Sequence, residues 1–408
     1  MTIKTINFKE CETVERLMKK RAILVIALVL GLVLAGCGGT QETPEKSSSA
    51  ESKEPYKIGA IFDISGPGSS LGVPERDTVN MIVEKLNENG GIDGHPIELI
   101  MLDNKSNETE AALAAKSLIQ KDVLAIIGCS TSGTTLAMLE GIQQAEIPLV
   151  SAAASIRIVE PVNERKWVFK TAQSDSLVAE RVAAYLKSKG LTKIAFASMN
   201  NAFGDSGKVE FEKAAAKEGI EILVMEKFEV NDTIMTSQLT NIKKSDPQAV
   251  LCWAIPPSAS SFTTGFADLG LTVPLIHSHG IGNKTFIDLA GESANGVVFP
   301  VGKLLVAEGL PEDDPQKQVL VEYATDFEAK YGPRNTFGGH AWDALQIVLN
   351  AVEKAGPDRG KIREELEKTT NFVGISGVFN MSPEDHNGLG LDSMVMVEIS
   401  EGSWIPAK

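Results

Sequence analysis

Gly128-Cys129-Ser130-Thr131-Ser132-Gly133-Thr134-Thr135 follows an apolar run and precedes a helical pattern. A strand that enters a Gly/Ser/Thr loop and then a helix N-terminus builds an anion site. Free backbone N–H groups and the helix dipole both favour negative charge there, and hydroxyls add donors. The loop misses the phosphate-loop pattern GxxxxGK[ST], because Thr134 stands where Lys is required. A carboxylate is therefore a better guest than a polyphosphate. The loop also misses the GxSxG nucleophile turn, because Ser132 replaces the second glycine. The same hydroxyls could instead serve only to cap the helix.

Two more loops in the first half share this chemistry. Asp63-Ile64-Ser65-Gly66-Pro67-Gly68-Ser69-Ser70 and Ser151-Ala152-Ala153-Ala154-Ser155 are small, hydroxyl-rich and nearly uncharged. The second half offers Asn201-Ala202-Phe203, Trp253-Ala254-Ile255 and His277-Ser278-His279-Gly280. A cleft between the halves would pair an anion-friendly wall with a more apolar one, which suits a small organic acid with a hydrophobic body. On a strand, His277 and His279 would share one face, but a third metal ligand is not evident. We expect no metal and no cofactor, and expect His277 to be a buried, hydrogen-bonded strand residue. Trp342 and Asp343, after Gly338-Gly339-His340, read as core and surface. A hydrolase would have to pair Ser132 with His279; without a nucleophile turn or triad, no enzyme is expected.

These loops need strands and helices to aim them. Strand signals fall at 57–62, 97–102, 123–128 and 147–151, with helices at 74–89, 108–120 and 134–145 between and after them. The alternation restarts with helix 177–189. Strands 194–197, 222–228, 249–253 and 275–277 follow, with helices at 208–219, 236–244 and 258–269. Such alternation indicates parallel βαβ units. The fold class is α/β, with two doubly wound parallel-sheet lobes and ligands outside the strands' carboxyl ends. The last third reads as helices 315–331, 337–355 and 360–368 and strands 377–380 and 393–399. Those strands are too few for a third lobe, so they should complete the first two. The expected division is 56–173 with 303–380 for lobe 1, and 174–302 with 381–408 for lobe 2, joined by more than one crossing.

The N-terminus carries an address. Met18-Lys19-Lys20-Arg21 is basic, 22–33 is uncharged and apolar, and Leu34-Ala35-Gly36-Cys37 closes it. This pattern is an export signal over 1–36, shorter than the about 20 apolar residues of a membrane span. Glu10, Glu12 and Glu15 do not suit a signal, so Met18 is the expected start. Residues 37–55, rich in Ser, Glu, Lys and Pro, should form a flexible tether reaching roughly 20–25 Å. The net charge is −15, and residues 1–36 carry six Lys or Arg against three Asp or Glu. The exported body is thus more acidic still and will not favour nucleic acid. Beyond Cys11 and Cys37, Cys129 and Cys252 are expected as buried free thiols.

Several of these stretches together resemble the type I periplasmic binding proteins of the branched-chain amino acid receptor family. They are Ile58-Gly59-Ala60 with Ser65-Gly66-Pro67, Asn89-Gly90-Gly91-Ile92-Asp93-Gly94, and Ile127-Gly128 with its Ser/Thr loop. Ile147-Pro148-Leu149-Val150-Ser151 and Phe203-Gly204-Asp205 complete the set. Leu34-Ala35-Gly36-Cys37 likewise resembles the bacterial lipobox, which implies lipidation of Cys37 and anchoring to the membrane. The family resemblance implies a bilobed receptor that closes about a multi-strand hinge and delivers a small-molecule ligand to an ABC permease. A sensor serving a receptor kinase would have the same fold. The resemblance places the ligand carboxylate and amine near Ser132, Ala153 and Ser155, with Ser65 nearby. It places aromatic contacts at Phe203 and at Ile255, where this chain departs from the family. The acidic partner of the ligand ammonium falls on His279. The family implies a branched-chain amino acid as ligand; the departure at His279 implies instead an aliphatic or aromatic carboxylate without an α-ammonium group.

Overall fold

The computed structural model describes residues 53–408. The expected signal, Met18, Cys11, Cys37 and the tether as far as residue 52 lie outside the described residues.

Tyr56–Phe62 (β1) is apolar throughout because both of its faces are covered. Ile58, Ala60 and Phe62 join one core with Val79 and Val348, and Ile61 joins another with Leu118 and Ile142. β1 pairs in parallel with Ile97–Asp103 (β2) on one side and Ala125–Gly128 (β3) on the other. Leu149–Ser151 (β4) and Val168–Lys170 (β5) extend the sheet to the order 2-1-3-4-5. Its connecting helices are Ser69–Glu88 (α1), Glu108–Gln120 (α2) and Ser132–Ala145 (α3). Strand order reverses between β1 and β3, so the loops after those strands open a crevice at the switch point.

Helix α1 begins five residues before the Pro74 that sequence suggested as its start. A proline inside a helix removes one donor. The Ser70 carbonyl it would have served instead accepts the Asn335 side chain at 3.3 Å.

The second sheet has parallel strands Lys193–Met199 (β6), Glu221–Phe228 (β7), Ala249–Trp253 (β8), Leu275–His277 (β9) and Val298–Gly302 (β10). Its switch point lies between β6 and β8. The helices are Asp175–Ser188 (α4), Ala202–Glu218 (α5), Thr236–Lys244 (α6), Ser258–Asp268 (α7) and Lys284–Ala290 (α8). Sequence gave no strand at β10 because it contains Pro300. The ladder with β9 is confined to Val298 and Ile276, so the missing donor falls beyond it.

The last third divides between the lobes. Lys317–Tyr331 (α9), Thr336–Ala355 (α10) and Arg359–Glu367 (α11) pack with the first sheet, beside the hairpin Phe372–Val373 (β11) and Val378–Phe379 (β12). Met394–Ser400 (β13) returns to pair antiparallel with β10, and Ser403–Pro406 (β14) forms the edge. The chain thus passes between the sheets three times: after β5, after β10 and before β13. Hydrogen bonds lace two of these passages. Asn387 Nδ2 donates to the Lys170 and Ala172 carbonyls at 3.1 Å, and Ser174 Oγ donates to Asn387 Oδ1 at 2.9 Å. Lys170 is fully buried, and its Nζ donates to Ala172 O and Ser174 Oγ at 2.7 and 3.0 Å. Burial lowers its pKa to about 7. Cys129 and Cys252 are buried free thiols.

Candidate functional site

The carboxyl ends of both sheets face a cavity of about 180 Å³. That is smaller than the roughly 300–1,000 Å³ pockets that hold drug-sized ligands, and it suits a small metabolite.

The lobe 1 wall is built by the loops after β1 and β3. Thr131 stands at the N-cap of α3 but makes no side-chain capping bond. Its hydroxyl instead donates to Asp63 Oδ2 at 2.9 Å and meets Thr134 Oγ1 at 2.7 Å. Among the described residues, no acceptor takes the N–H of Ser132, Gly133 or Thr134. All three residues line the cavity. The capping role that sequence left open is therefore not what the Thr131 hydroxyl does, and the first turn of a fourteen-residue helix stays available to an anion.

Behind this wall is an acidic cluster. Asp63 is fully buried and accepts from Asn104 Nδ2 at 2.7 Å as well as from Thr131. Its N–H donates to Ser130 Oγ at 2.9 Å, and Ser130 Oγ in turn hydrogen-bonds Glu75 Oε2. Burial raises both carboxyl pKa values, that of Glu75 well above the usual range, and the neighbouring Asp63 charge pushes Glu75 further.

The opposite wall is apolar and aromatic. Phe203, in the first turn of α5, and Ile255, after β8, line it with Met199. Phe203 stacks at a tilt on the buried Trp253 with centroids 5.9 Å apart. His279 follows β9 in a short 3-10 turn, edge-on to Phe203 at 5.9 Å. Helix α10 adds Phe337 and His340.

Of the residues singled out from sequence, Ser132, Phe203, Ile255 and His279 lie on the lining, whereas Ser65, Ala153 and Ser155 do not. Along the extended segment after β4, successive side chains alternate in direction. Ala152 and Ala154 face the cavity, so Ala153 and Ser155 turn away. Ser155 Oγ meets Ser206 Oγ at 2.7 Å, and the Ala153 N–H donates to Ser151 Oγ at 3.1 Å. Ser65 is exposed because Asp103 holds both its N–H and its hydroxyl on the outer side, at 3.2 and 2.6 Å. His277 and His279 share no face, since β9 ends at His277. His277 is fully buried with Nε2 2.9 Å from Thr263 Oγ1. Asp343, read as surface, is buried and accepts the N–H groups of Ile375 and Ser376 at 2.6 and 2.7 Å. Sequence reasoning missed Asp63, Leu71, Met199, Phe337 and His340 on the lining. Asp63 carried a signal, as the first polar residue after β1. Phe337 and His340 carried none, because they reach the cavity from a helix remote in sequence.

A two-lobed α/β body with one cleft at both switch points matches known proteins over nearly its whole length. The sequence model of the family described as periplasmic binding protein fits residues 55–403. The chain belongs to this family. It is a family of solute-binding proteins, not of enzymes. The leucine-, isoleucine-, valine-, threonine-, and alanine-binding protein of Pseudomonas aeruginosa is 22% identical over 329 residues, covering 79% of this chain and 85% of its relative. The crystal structure of an extracellular ligand-binding receptor from Rhodopseudomonas palustris HaA2 has a TM-score of 0.82 at 29% identity, covering 87% of this chain and all of that one. A branched-chain amino acid transporter substrate binding protein from Streptococcus pneumoniae, solved with isoleucine, has a TM-score of 0.76 at 26% identity, covering 87% of this chain and 99% of its own. Among the described residues no helix is long and apolar enough to cross a membrane.

Proposed function

We propose that this solute-binding protein is the receptor of an ABC importer, held to the outer face of a membrane by a lipid on Cys37. It binds a small carboxylate-bearing ligand by hinge closure and presents it to permease subunits. The observation that carries the reading is the open first turn of α3 facing the apolar wall of Phe203 and Ile255 across the cleft. The ligand's carboxylate takes the Ser132, Gly133 and Thr134 N–H groups and the Ser132 hydroxyl, and its body packs on the far wall. Contacts to both lobes stabilise the closed arrangement over the open one.

The relatives' names point to branched-chain amino acids. His279 argues for an acid without an α-ammonium group. Burial lowers its pKa to about 3, so at neutral pH it carries no charge and cannot replace a carboxylate as the partner of an ammonium. A thermal-shift screen with branched-chain amino acids and the matching organic acids tests the reading. We expect stabilisation by the organic acids; stabilisation by leucine or valine alone would refute the choice. For an acid that binds, Ser132→Ala should weaken affinity by about 1–2 kcal/mol in calorimetry. Unchanged affinity would remove Ser132 from the site. Cys37→Ala should move the receptor from the membrane fraction to the soluble one. Retention of the variant in membranes would exclude anchoring through Cys37.

A further inference from the structure

His279 and His340 enter the cavity on different elements, the turn after β9 in lobe 2 and helix α10 on lobe 1. They are 5% and 4% exposed, so both imidazoles are taken almost wholly from water. His340 Nδ1 lies 2.7 Å from Ser376 Oγ, which fixes the ring, and no described residue takes its Nε2. His279 has no partner on either ring nitrogen among the described residues, and its Nδ1 is shielded from solvent. Ring edges hold both in place: Phe203 and Trp253 lie edge-on to His279, and Phe337 to His340. Buried polar groups left without partners are costly; among the described residues His279 Nδ1 is such a group, and neither ring's Nε2 has a protein partner, so an oxygen of a bound ligand can serve them.

We propose that His279 and His340 form a cross-cleft pair that reads an uncharged oxygen, a hydroxyl or a carbonyl, on the body of the carboxylate ligand. This rests on the carboxylate reading given above and specifies the rest of the molecule. A neutral imidazole offers one donor and one acceptor, so the pair accommodates either oxygen. A second carboxylate would find no fixed cation there. Among the described residues no Lys or Arg lines the cavity, and Lys170 Nζ is engaged by Ala172 O and Ser174 Oγ. An ammonium would find only Asp63 and the exposed, rim-placed Glu108, and the Asp63 oxygens already accept from Asn104 and Thr131.

The pair also links binding to protons. A histidine side chain in water titrates near 6.5, so protonation competes with binding to the extent that opening the cleft wets the two rings. Burial of the rings against the ligand favours their neutral forms. Burial lowers both pKa values to about 3 in the structure; the His340 ring lowers that of His279 further, and Lys170 acts on both. Asp343 lies behind Ser376, Asp63 and Glu108 stand on the lobe 1 wall, and Glu75 lies behind it. From pH 7.5 to 5.5 affinity should therefore fall, by up to about tenfold for each imidazole that opening wets fully, while a ligand carboxylate stays ionised.

Calorimetry on the full-length protein with matched probes tests this. The probes are 4-methylpentanoate against its 2-hydroxy and 2-oxo derivatives and leucine, and benzoate against 4-hydroxybenzoate. At pH 7.5 one oxygen-bearing acid should bind at least tenfold more tightly than its parent, and its affinity should fall toward pH 5.5. In His279→Leu and His340→Leu the ratio within the pair should shrink to below threefold, and the pH dependence should flatten. The wild-type pH profile needs no variant to fold. Equal binding of parent and derivative, tighter binding of leucine than of any acid, or affinity rising toward pH 5.5 would overturn the pair's role. Failure of every acid to bind would overturn the carboxylate reading and this inference with it.

Discussion

Replacing Asp343 by Ala should cost about 3–5 kcal/mol of folding stability, read by urea unfolding at pH 7. The carboxylate is fully buried in α10 and accepts two backbone N–H groups, Ile375 at 2.6 Å and Ser376 at 2.7 Å. Each of these donors loses about 1–3 kcal/mol when left buried and unpartnered. The segment they belong to is a junction. The Ser376 carbonyl accepts from Gln173 in the first passage between the lobes at 2.6 Å, the Gly374 carbonyl accepts from Gln316 at 2.9 Å, and the Ser376 hydroxyl orients His340. Burial raises the pKa of Asp343 to about 7 against its hydrogen bonds. An acid with a raised folded pKa contributes stability that is fully present below its unfolded pKa of 3.8 and lost as pH rises through about 7. Asp343→Asn keeps one acceptor and does not titrate. It should therefore lose less than Asp343→Ala and gain on the wild type as pH rises from 5 to 8. An Ala variant within 1 kcal/mol of wild type would show that the junction is not held through this carboxylate.

The parts of the fold that sequence disclosed are those whose burial is two-sided or strongly periodic. Helix Glu108–Gln120 and strands Ala249–Trp253 and Leu275–His277 occur with the expected bounds. Val168–Lys170 escaped because three residues ending in a lysine carry no period, and its place comes from pairing with β4. The cleft's chemistry was legible as composition: small hydroxyl residues on one side, aromatic and imidazole on the other. Its parity was not. Whether Ala152 or Ala153 faces inward depends on the phase of an extended segment, and shifting that phase by one residue reverses every side chain. His340 is illegible for another reason. Nothing in Thr336-Phe337-Gly338-Gly339-His340 distinguishes a cleft ring from a core ring until α10 is seen packed on lobe 1 with its first turn at the cavity. His279, by contrast, was visible because a departure from a family pattern is a local signal.

Two glycines in one stretch of chain should respond to alanine in opposite directions, and the first should take ligand binding with it. Gly128 ends β3 opposite Ile61 of β1, at the switch point of the first sheet. Its φ is +106°, a conformation that L side chains rarely adopt and that costs of order 1–3 kcal/mol for a non-glycine residue. A methyl group there would also run into the Ile61 carbonyl oxygen. That atom belongs to a central strand with neighbours on both sides, so it cannot yield without opening the β1–β3 ladder. Gly128→Ala should therefore cost at least about 3 kcal/mol. It should also abolish carboxylate binding, because the segment from Cys129 to Thr134 that carries the open N–H groups starts at this residue. Gly141 lies exposed within α3 with no atom within 4 Å of an added Cβ. Gly141→Ala should raise stability by roughly 0.5–1 kcal/mol by reducing the freedom of the unfolded chain, with affinity unchanged. Urea unfolding and calorimetry on the two variants give both readouts. If Gly128→Ala binds the same acid within threefold of wild type, the loop after β3 does not hold the carboxylate. If Gly141→Ala also loses binding, the effect belongs to the helix as a whole rather than to the approach of β3 to β1.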